Sequence, residues 1–191
     1  MGNPGSEYER TRHNVGAEAV TLLGTRHGGR LSLTRASRSL TTEVRVGNRR
    51  LALAIPRTYM NESGTAMVPL VRRYGVTTMT ALVVVHDEMD LPPGRVKVKV
   101  GGGTAGHNGL RSIQAHLHQT AFVRVRIGIG KPPGRQAGAD YVLRKPGKAE
   151  RAELDVAVEV AADAVEEILT SGAAAAMNRF NTGDPAHGDP G

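Results

Sequence analysis

The feature that most constrains the fold is a short, continuous apolar run at residues 81–85. A strand with one face in water alternates apolar and polar residues, so an unbroken run is typical of a strand buried on both faces. Helical apolar spacing occurs elsewhere in the chain, for example at Val15, Ala19 and Leu23. Interleaved strands and helices pack in layers, so we predict an α/β fold: one domain with a twisted mixed β-sheet flanked by helices on both faces.

The other elements are predicted from apolar periodicity and turn residues. We expect helices over residues 15–27, from near Asn61 to residue 74 with Asn61 or Ser63 as the N-cap, over residues 108–117, and over residues 149–171. We expect a hairpin around the turn at residues 47–48, and strands at residues 96–100 and 123–129 in which Val or Ile alternates with Lys or Arg. Residues 181–191 are rich in Gly, Pro and Asp, which predicts a folded domain over residues 1–180 and a disordered tail.

The charge of the chain favours a polyanionic partner. Its 25 Lys and Arg against 18 Asp and Glu give a net charge of +7. Residues 95–148 hold eleven of these cations and a single acid, Asp140. Phosphates bind such a basic surface, so nucleic acid is the favoured partner, and a merely solvated surface is the alternative.

Composition also excludes several classes of protein. The chain has no cysteine, which excludes a disulfide framework, a thiolate zinc site and a cysteine nucleophile. No apolar run approaches the length of about 20 residues that spans a membrane. The chain opens on turn residues, Asn3-Pro4-Gly5, and not on a signal peptide. We therefore expect a cytoplasmic protein without a membrane partner.

Polar residues cluster at strand ends and in the loops that lead into helices, where α/β sheets place their sites. The clusters are Asn3 with His13 and Asn14, Met60 with Asn61, His86-Asp87-Glu88, and His107-Asn108. A histidine can accept a proton near neutral pH, and a carboxylate on its other nitrogen fixes its tautomer. Asparagine amides can hold a carbonyl or an oxyanion. The set suits hydrolysis of an ester or amide by water, although each residue alone could also be a helix cap, a turn cap or a surface group.

Three other kinds of site are disfavoured. Gly101, Gly103 and Gly106 form a G-x-G-x-x-G pattern, but a dinucleotide site also needs an acid about 20 residues later, where the sequence is Phe-Val-Arg-Val-Arg. A metal site from His86, Asp87, Glu88 and His107 lacks the His-Glu-x-x-His spacing and has few carboxylates. No Gly-x-Ser-x-Gly elbow marks a serine hydrolase.

In order along the chain, these clusters make the sequence similar to the bacterial peptidyl-tRNA hydrolase family. The matching strings are Gly2-Asn3-Pro4-Gly5-x-x-Tyr8, Thr11-Arg12-His13-Asn14, Tyr59-Met60-Asn61-x-Ser63-Gly64, His86-Asp87-Glu88-x-Asp90-Leu91, Gly101-Gly102-Gly103-x-x-Gly106-His107-Asn108-Gly109-Leu110 and Arg124-Val125-Arg126-Ile127-Gly128-Ile129-Gly130. They extend from residue 2 into the region of residue 130, in the order and spacing of the family, and the resemblance continues to about residue 180.

The resemblance implies an esterase that cuts the bond between a peptide and the 3′-terminal ribose of tRNA, and so recycles tRNA from peptidyl-tRNA released by stalled ribosomes. His13 matches the general base that activates water, and Asp87 matches the carboxylate that orients it. Asn3 matches the amide that distinguishes blocked from unblocked aminoacyl-tRNA. The family uses no metal or other cofactor and is generally monomeric.

The resemblance also implies binding residues for the substrate. Asn61 and Asn108 match amides that hold the peptide and the tRNA 3′ end, and His107 belongs to the same string as Asn108. Tyr8, Tyr59 and Met60 match residues that line the groove. Lys99 and Arg126 match residues that clamp the tRNA 5′-phosphate, in agreement with the basic strand faces.

One departure concerns the start of the chain. The family has an apolar first strand before the Asn3-Pro4-Gly5 turn, whereas here only Met1 and Gly2 precede it. We expect this strand to be missing, which exposes strand edges and removes roughly 1.5–3 kcal/mol of stability per absent buried side chain. A misassigned start codon or a shortened chain is our hypothesis for this difference.

Two alternative functions remain open at this point. A catalytically silent RNA-binding relative of the same fold would need the basic strand faces but not His13, Asp87 and the asparagines. A peptidase or nucleoside-processing enzyme of similar architecture would not need Lys99 and Arg126 on adjoining strand faces.

Overall fold

The computed structural model describes residues 1–134 and 136–182. The helices are α1 (Val15–Arg26), α2 (Ser63–Arg73), α3 (Asn108–Leu117), α4 (Gly138–Val142), α5 (Lys148–Ser171) and α6 (Ala173–Phe180), and the strands are β1 (Ser32–Thr34), β2 (Ser39–Val46), β3 (Arg49–Pro56), β4 (Val83–Glu88), β5 (Val96–Val100) and β6 (Val123–Gly128). The predicted helices, hairpin and strands are confirmed to within a few residues, whereas β1, α4 and α6 were not predicted. No helix in the described part of the chain is long and apolar enough to cross a membrane.

Strands β4, β6 and β5 form the predicted mixed sheet, in that order. Strand β4 runs parallel to β6, and β5 runs antiparallel to it. The pairing continues through Asp87, opposite Ile127, and Glu88, opposite Gly128. The polar cluster thus lies at the end of the strand, as predicted, but the strand itself extends beyond the apolar run at residues 81–85, because the backbone of residues 86–88 still bonds to β6. The cluster forms the carboxyl end of β4, the edge at which parallel strands carry functional groups.

The hairpin belongs to a second, antiparallel sheet with the order β1-β2-β3. Strands β2 and β3 are joined by the predicted two-residue turn, in which Gly47 has a φ of +59° that suits a tight hairpin. Within residues 1–134 and 136–182 no ladder joins this sheet to the mixed sheet. The strands thus form two three-stranded sheets.

Helices cover both faces of the mixed sheet, as predicted. Helices α1, α5 and α6 pack on the face formed by Val85, Val98 and Val125, together with their neighbours of the same face. Helices α2 and α3 pack against the opposite face at Val84 and Phe122. The ends of α1 and α3 therefore lie on opposite sides of β4, which places the residues before each helix near the carboxyl end of that strand.

The C-terminal residues that the structure describes are bound to the mixed sheet. The Asn181 side chain bonds to both the N–H and the carbonyl of Val98, at 2.8 Å each, and Arg95 donates to the carbonyl of Thr182 at 2.8 Å. Ordered contacts thus continue beyond residue 180. The rest of the predicted tail, residues 183–191, lies outside the described residues.

The N-terminus lies beside a cleft between the two sheets. The amino group of Met1 is buried and donates to the carbonyl of Val85 on β4, at 2.7 Å. Next to it is a cavity of about 520 Å³, lined by β3, by the segment that leads into β4, and by apolar side chains of α1, α2 and α5. The edges of β3 and β4 that face this cleft are unpaired in the described residues.

We expect the free energy of unfolding to rise between pH 5 and pH 8. Burial lowers the pKa of the Met1 amino group from 8.0 to about 5, although attraction to Asp87 opposes this. In that window the unfolded chain binds a proton that the folded chain does not, so stability increases with pH. A shift from 8.0 to about 5 corresponds to on the order of 4 kcal/mol. Urea unfolding at pH 5 and at pH 8 measures this difference in the free energy of unfolding.

Two N-terminal extensions of about six residues, the length of a typical strand, isolate the contribution of Met1. A Gly-Ser extension replaces the amine by an amide and should reduce the pH dependence without adding a paired strand. An alternating Val-Thr extension should also pair with the cleft edges and raise the Tm by at least about 5 °C. An unchanged pH slope in both extended chains would exclude the Met1 amino group as its source.

Candidate active site

Three segments that are distant in the sequence bring polar side chains together at the carboxyl end of β4. His13 lies in a single 3₁₀ turn directly before α1, Asp87 lies in β4, and His107 directly precedes α3. Their side chains are only 9%, 3% and 8% exposed. Buried polar groups are almost always hydrogen-bonded, so the partners of these three side chains define the chemistry of the site.

One oxygen of Asp87 contacts both histidines. Asp87 Oδ1 lies 2.8 Å from His13 Nδ1 and 3.0 Å from His107 Nε2. Burial by itself would raise the pKa of the Asp87 carboxyl, but electrostatic attraction to His13 and His107 and the hydrogen bonds from both rings outweigh it and hold that pKa well below its usual range. Asp87 is therefore an ionised, buried carboxylate that needs hydrogen-bond donors.

The tautomer of His107 is determined by the start of α3. His107 Nδ1 accepts the backbone N–H groups of Gly109 and Leu110, at 3.1 and 3.3 Å, so the ring proton lies on Nε2 and is donated to Asp87. His107 is also the N-cap of α3. Asn108 is not the cap: it is the first residue of that helix and is exposed.

The tautomer of His13 follows from the same carboxylate. Its Nδ1–H donates to Asp87, which leaves a lone pair on Nε2. That nitrogen has no hydrogen-bond partner among the described residues. His13 and Asp87 line a cavity of about 140 Å³ together with Met89, residues 105–108 and part of α4. The site thus presents a basic nitrogen at a cavity of the size that water and a small acyl group can enter.

His86, the residue before Asp87, packs behind the site. Burial and the neighbouring His107 lower its pKa, so this fully buried ring is neutral. Its Nδ1–H donates to the carbonyl of Asp87 at 2.6 Å, and its ring packs edge-to-face on His107 with centroids 5.0 Å apart. His86 therefore belongs to the packing behind His107, and it does not line the cavity.

His13, Asp87 and His107 also offer three potential metal ligands within 4.8 Å of one another. However, the two nitrogens that face Asp87 both carry protons in the hydrogen-bonded arrangement. A metal on His107 Nε2 would require the proton to move to Nδ1, which would break the cap of α3. The donor set fits a hydrogen-bonded triad better than a metal centre.

Asn3 is fixed by its backbone and its side chain. Asn14 bonds to the N–H and the carbonyl of Asn3, at 2.8 and 3.0 Å, and Asn3 Oδ1 accepts the N–H of Met60 at 2.7 Å. The amide nitrogen of Asn3 therefore remains as its donor toward a ligand. The clamp by Asn14, which adjoins His13 in the chain, was not predicted, although the sequence placed the two asparagines in one cluster.

The other predicted groove residues differ in accessibility. Tyr59 is exposed and contacts Tyr8 edge-to-face, with ring centroids 6.4 Å apart. Met60 is only 4% exposed and packs in the core beneath, so its side chain is not an open groove wall. Neither residue predicted as the N-cap of α2 has that role: Asn61 is exposed in the preceding 3₁₀ turn, and Ser63 is the first residue of the helix.

A basic face of β5 and β6 lies on the α3 side of the mixed sheet. The register pairs Lys97 with Arg126 and Lys99 with Arg124. Arg124 is buried and donates to the carbonyls of Gly101 and Gly103, so it shapes the glycine-rich loop. Arg126 is partly exposed and contacts Glu88 at 3.1 Å. Lys99 is exposed. Arg126 lies diagonally opposite Lys99 on the neighbouring strand.

Comparison with known proteins gives one consistent family. The family model for peptidyl-tRNA hydrolase matches residues 1–187. Peptidyl-tRNA hydrolase of Nocardia farcinica is 50% identical over 95% of this chain and 93% of its own length, and that of Cutibacterium acnes is 48% identical over 95% and 96%. The crystal structure of peptidyl-tRNA hydrolase from Acinetobacter baumannii has a TM-score of 0.89 and 37% identity, over 97% of this chain and 93% of that chain.

Proposed function

Because the chain belongs to the peptidyl-tRNA hydrolase family and cleaves peptidyl-tRNA, we propose that it hydrolyses the ester at the tRNA 3′-terminal ribose with His13 as general base. The observation that carries this proposal is the shared oxygen of Asp87, which bonds to His13 Nδ1 at 2.8 Å. That bond directs the basic Nε2 of His13 toward the cavity.

In the proposed mechanism, His13 Nε2 removes a proton from water as the water oxygen attacks the ester carbonyl carbon. The Asp87 carboxylate stabilises the imidazolium that forms, and His107 keeps Asp87 in place. The tetrahedral intermediate then expels the ribose oxygen, which takes the proton from His13. The products are a peptide with a free carboxyl group and a tRNA with a free 3′ end, and no bond to the protein forms.

Asn3 is proposed to distinguish blocked from unblocked substrates. Its Oδ1 is engaged by Met60, so the amide offers N–H donors only. The carbonyl of an N-blocked amino acid can accept such a bond, whereas a free α-ammonium is itself a cationic donor and cannot. Asn108, which lines the same cavity, and the more distant Asn61, Tyr8 and Tyr59 are proposed to hold the peptide and the tRNA 3′ end.

Lys99 and Arg126 are proposed to bind the 5′-phosphate of the tRNA acceptor stem. Lys99→Ala should weaken tRNA binding and lower the slope of log Kd against log salt by about 0.7–0.9, the contribution of one phosphate contact. Arg49→Ala, an exposed cation on the other sheet, is the control and should leave the slope unchanged. Equal slopes for Lys99→Ala and the wild-type protein would contradict the clamp.

We also propose a cytoplasmic enzyme that acts as a monomer. The proposal of a monomer is supported by the triad, because one chain supplies His13, Asp87 and His107. Sedimentation measurements on the active enzyme test the oligomeric state.

The overall proposal is tested with N-acetyl-aminoacyl-tRNA beside the same tRNA carrying an unblocked amino acid. We expect release of the N-acetyl amino acid and little hydrolysis of the unblocked ester. Hydrolysis of both would contradict the role of Asn3. Salt-sensitive tRNA binding without hydrolysis would contradict the catalytic role proposed for His13.

A further inference from the structure

Arg12, directly before His13, has a buried side chain that donates hydrogen bonds to residues between 141 and 150. Nε and Nη2 donate to the two carboxylate oxygens of Glu150, at 2.6 and 2.5 Å. Nη1 donates to the carbonyls of Tyr141 and Arg144, at 3.3 and 3.2 Å. The guanidinium also stacks 4.1 Å above the Tyr141 ring. One side chain thus joins the turn that carries His13 to α4 and to the first turn of α5.

Helix α4 forms one wall of the catalytic cavity. Gly138, Ala139 and Val142 line it, together with His13, Asp87 and His107. A helix of five residues is too short to be stable by itself, so α4 depends on tertiary contacts. Those contacts are of two kinds: Tyr141 and Val142 are buried in the hydrophobic core. In addition, the Tyr141 hydroxyl donates to the carbonyl of Ile129 at 2.7 Å, and Arg12 donates to the carbonyls of Tyr141 and Arg144 at the end of the helix.

We propose that the Arg12–Glu150 pair is a latch that holds the α4 wall against the site and thereby determines how the acyl part of the substrate fits beside His13. The bidentate geometry requires a guanidinium, since a lysine ammonium cannot bond to a carboxylate and two carbonyls in this planar arrangement. Arg12 is a positioning residue in this account, because it acts through α4 and does not face the cavity.

The chemistry of the cavity indicates which part of the substrate depends on the latch. The α4 side is lined by small and apolar residues, Ala139, Val142 and the nearby Met89. The cations proposed to bind tRNA phosphate, Lys99 and Arg126, lie on β5 and β6 and do not line this cavity. Loosening α4 should therefore weaken binding of the aminoacyl or peptide group and leave binding of the tRNA unchanged.

The test is Glu150→Gln, which keeps the shape of the partner but removes its charge. We expect KM for N-acetyl-aminoacyl-tRNA to rise at least about fivefold with kcat within about twofold, the signature of lost binding that is equal in ground and transition states. Binding of deacylated tRNA should not change. Hydrogen exchange at residues 138–144 should become faster, a readout that does not depend on turnover.

Glu18→Gln is the matched control. It removes a similar partly buried pair, Arg151–Glu18, with contacts of 3.0 and 3.3 Å, which joins the same turn of α5 to α1 and makes no contact with α4. Its KM and its exchange at residues 138–144 should match the wild-type protein. The latch is excluded if both variants shift KM equally, if Glu150→Gln lowers kcat alone, or if exchange in α4 does not change.

Discussion

Substitution of His13 by alanine is expected to lower kcat for N-acetyl-aminoacyl-tRNA by at least about 10²-fold, the lower end of what a general base contributes. The variant lacks the nitrogen that accepts the proton of the attacking water. Asp87 keeps its bond to His107, so the carboxylate is not left without a donor. KM should therefore change much less than kcat, because no proposed contact with the tRNA is removed.

The control for this prediction is His27→Ala. His27 also pairs with a carboxylate, Glu166, at 3.0 Å, but it lies at the other end of α1, away from the cavity. Its kcat should be unchanged. Thermal unfolding of both variants separates lost catalysis from lost folding. If folded His13→Ala retained the wild-type turnover, another group would have to activate the water.

Asp87→Asn is expected to reduce kcat by roughly 10²–10⁴-fold. An amide carries no charge to stabilise the imidazolium of His13. If the amide places its NH₂ group where Oδ1 of Asp87 was, that group faces two ring nitrogens that already carry protons. The histidine can then rotate or adopt the other tautomer, with Nε2 protonated. Binding of deacylated tRNA should be nearly unaffected, because the basic face of β5 and β6 is intact.

The same substitution should alter stability at acid pH. The pKa of Asp87 in the folded protein lies below its ordinary value of 3.8, so its contribution is present above that value and is lost as pH falls through the folded pKa. Asp90→Asn is the matched control, since Asp90 is exposed and its side chain pairs at the surface with Lys131, at 3.2 Å. Asp90→Asn should change neither kcat nor the acid transition.

Most regular elements could be predicted because their apolar residues repeat with the period of either a helix or a strand. The alternation of Val with Lys or Arg in β5 and β6 predicted both strands and their basic face. Helix α4 has no such pattern over its five residues, and it is held by Arg12, a contact 129 residues away in the chain. In α6, the run of alanines has no polar alternation that marks a buried face.

The components of the site could be predicted, but their connections could not. Sequence similarity singled out His13, Asp87 and His107, whereas the shared oxygen of Asp87 depends on how two helices dock on β4. His107 and not Asn108 caps α3, because the His107 side chain reaches the free N–H groups of Gly109 and Leu110. Nothing in the sequence around Arg12 indicates Glu150 as its partner, since an isolated arginine has no spacing signal.

The central claim is that Asp87 acts through His13, and a double-mutant cycle on kcat tests it most directly. The rates to compare are those of His13→Ala, Asp87→Asn and the double variant on N-acetyl-aminoacyl-tRNA. If the two residues act as a unit, the double variant should be no slower than His13→Ala, within about twofold. A double variant slowed by the product of the two single effects would contradict the account, because Asp87 would then contribute independently of His13.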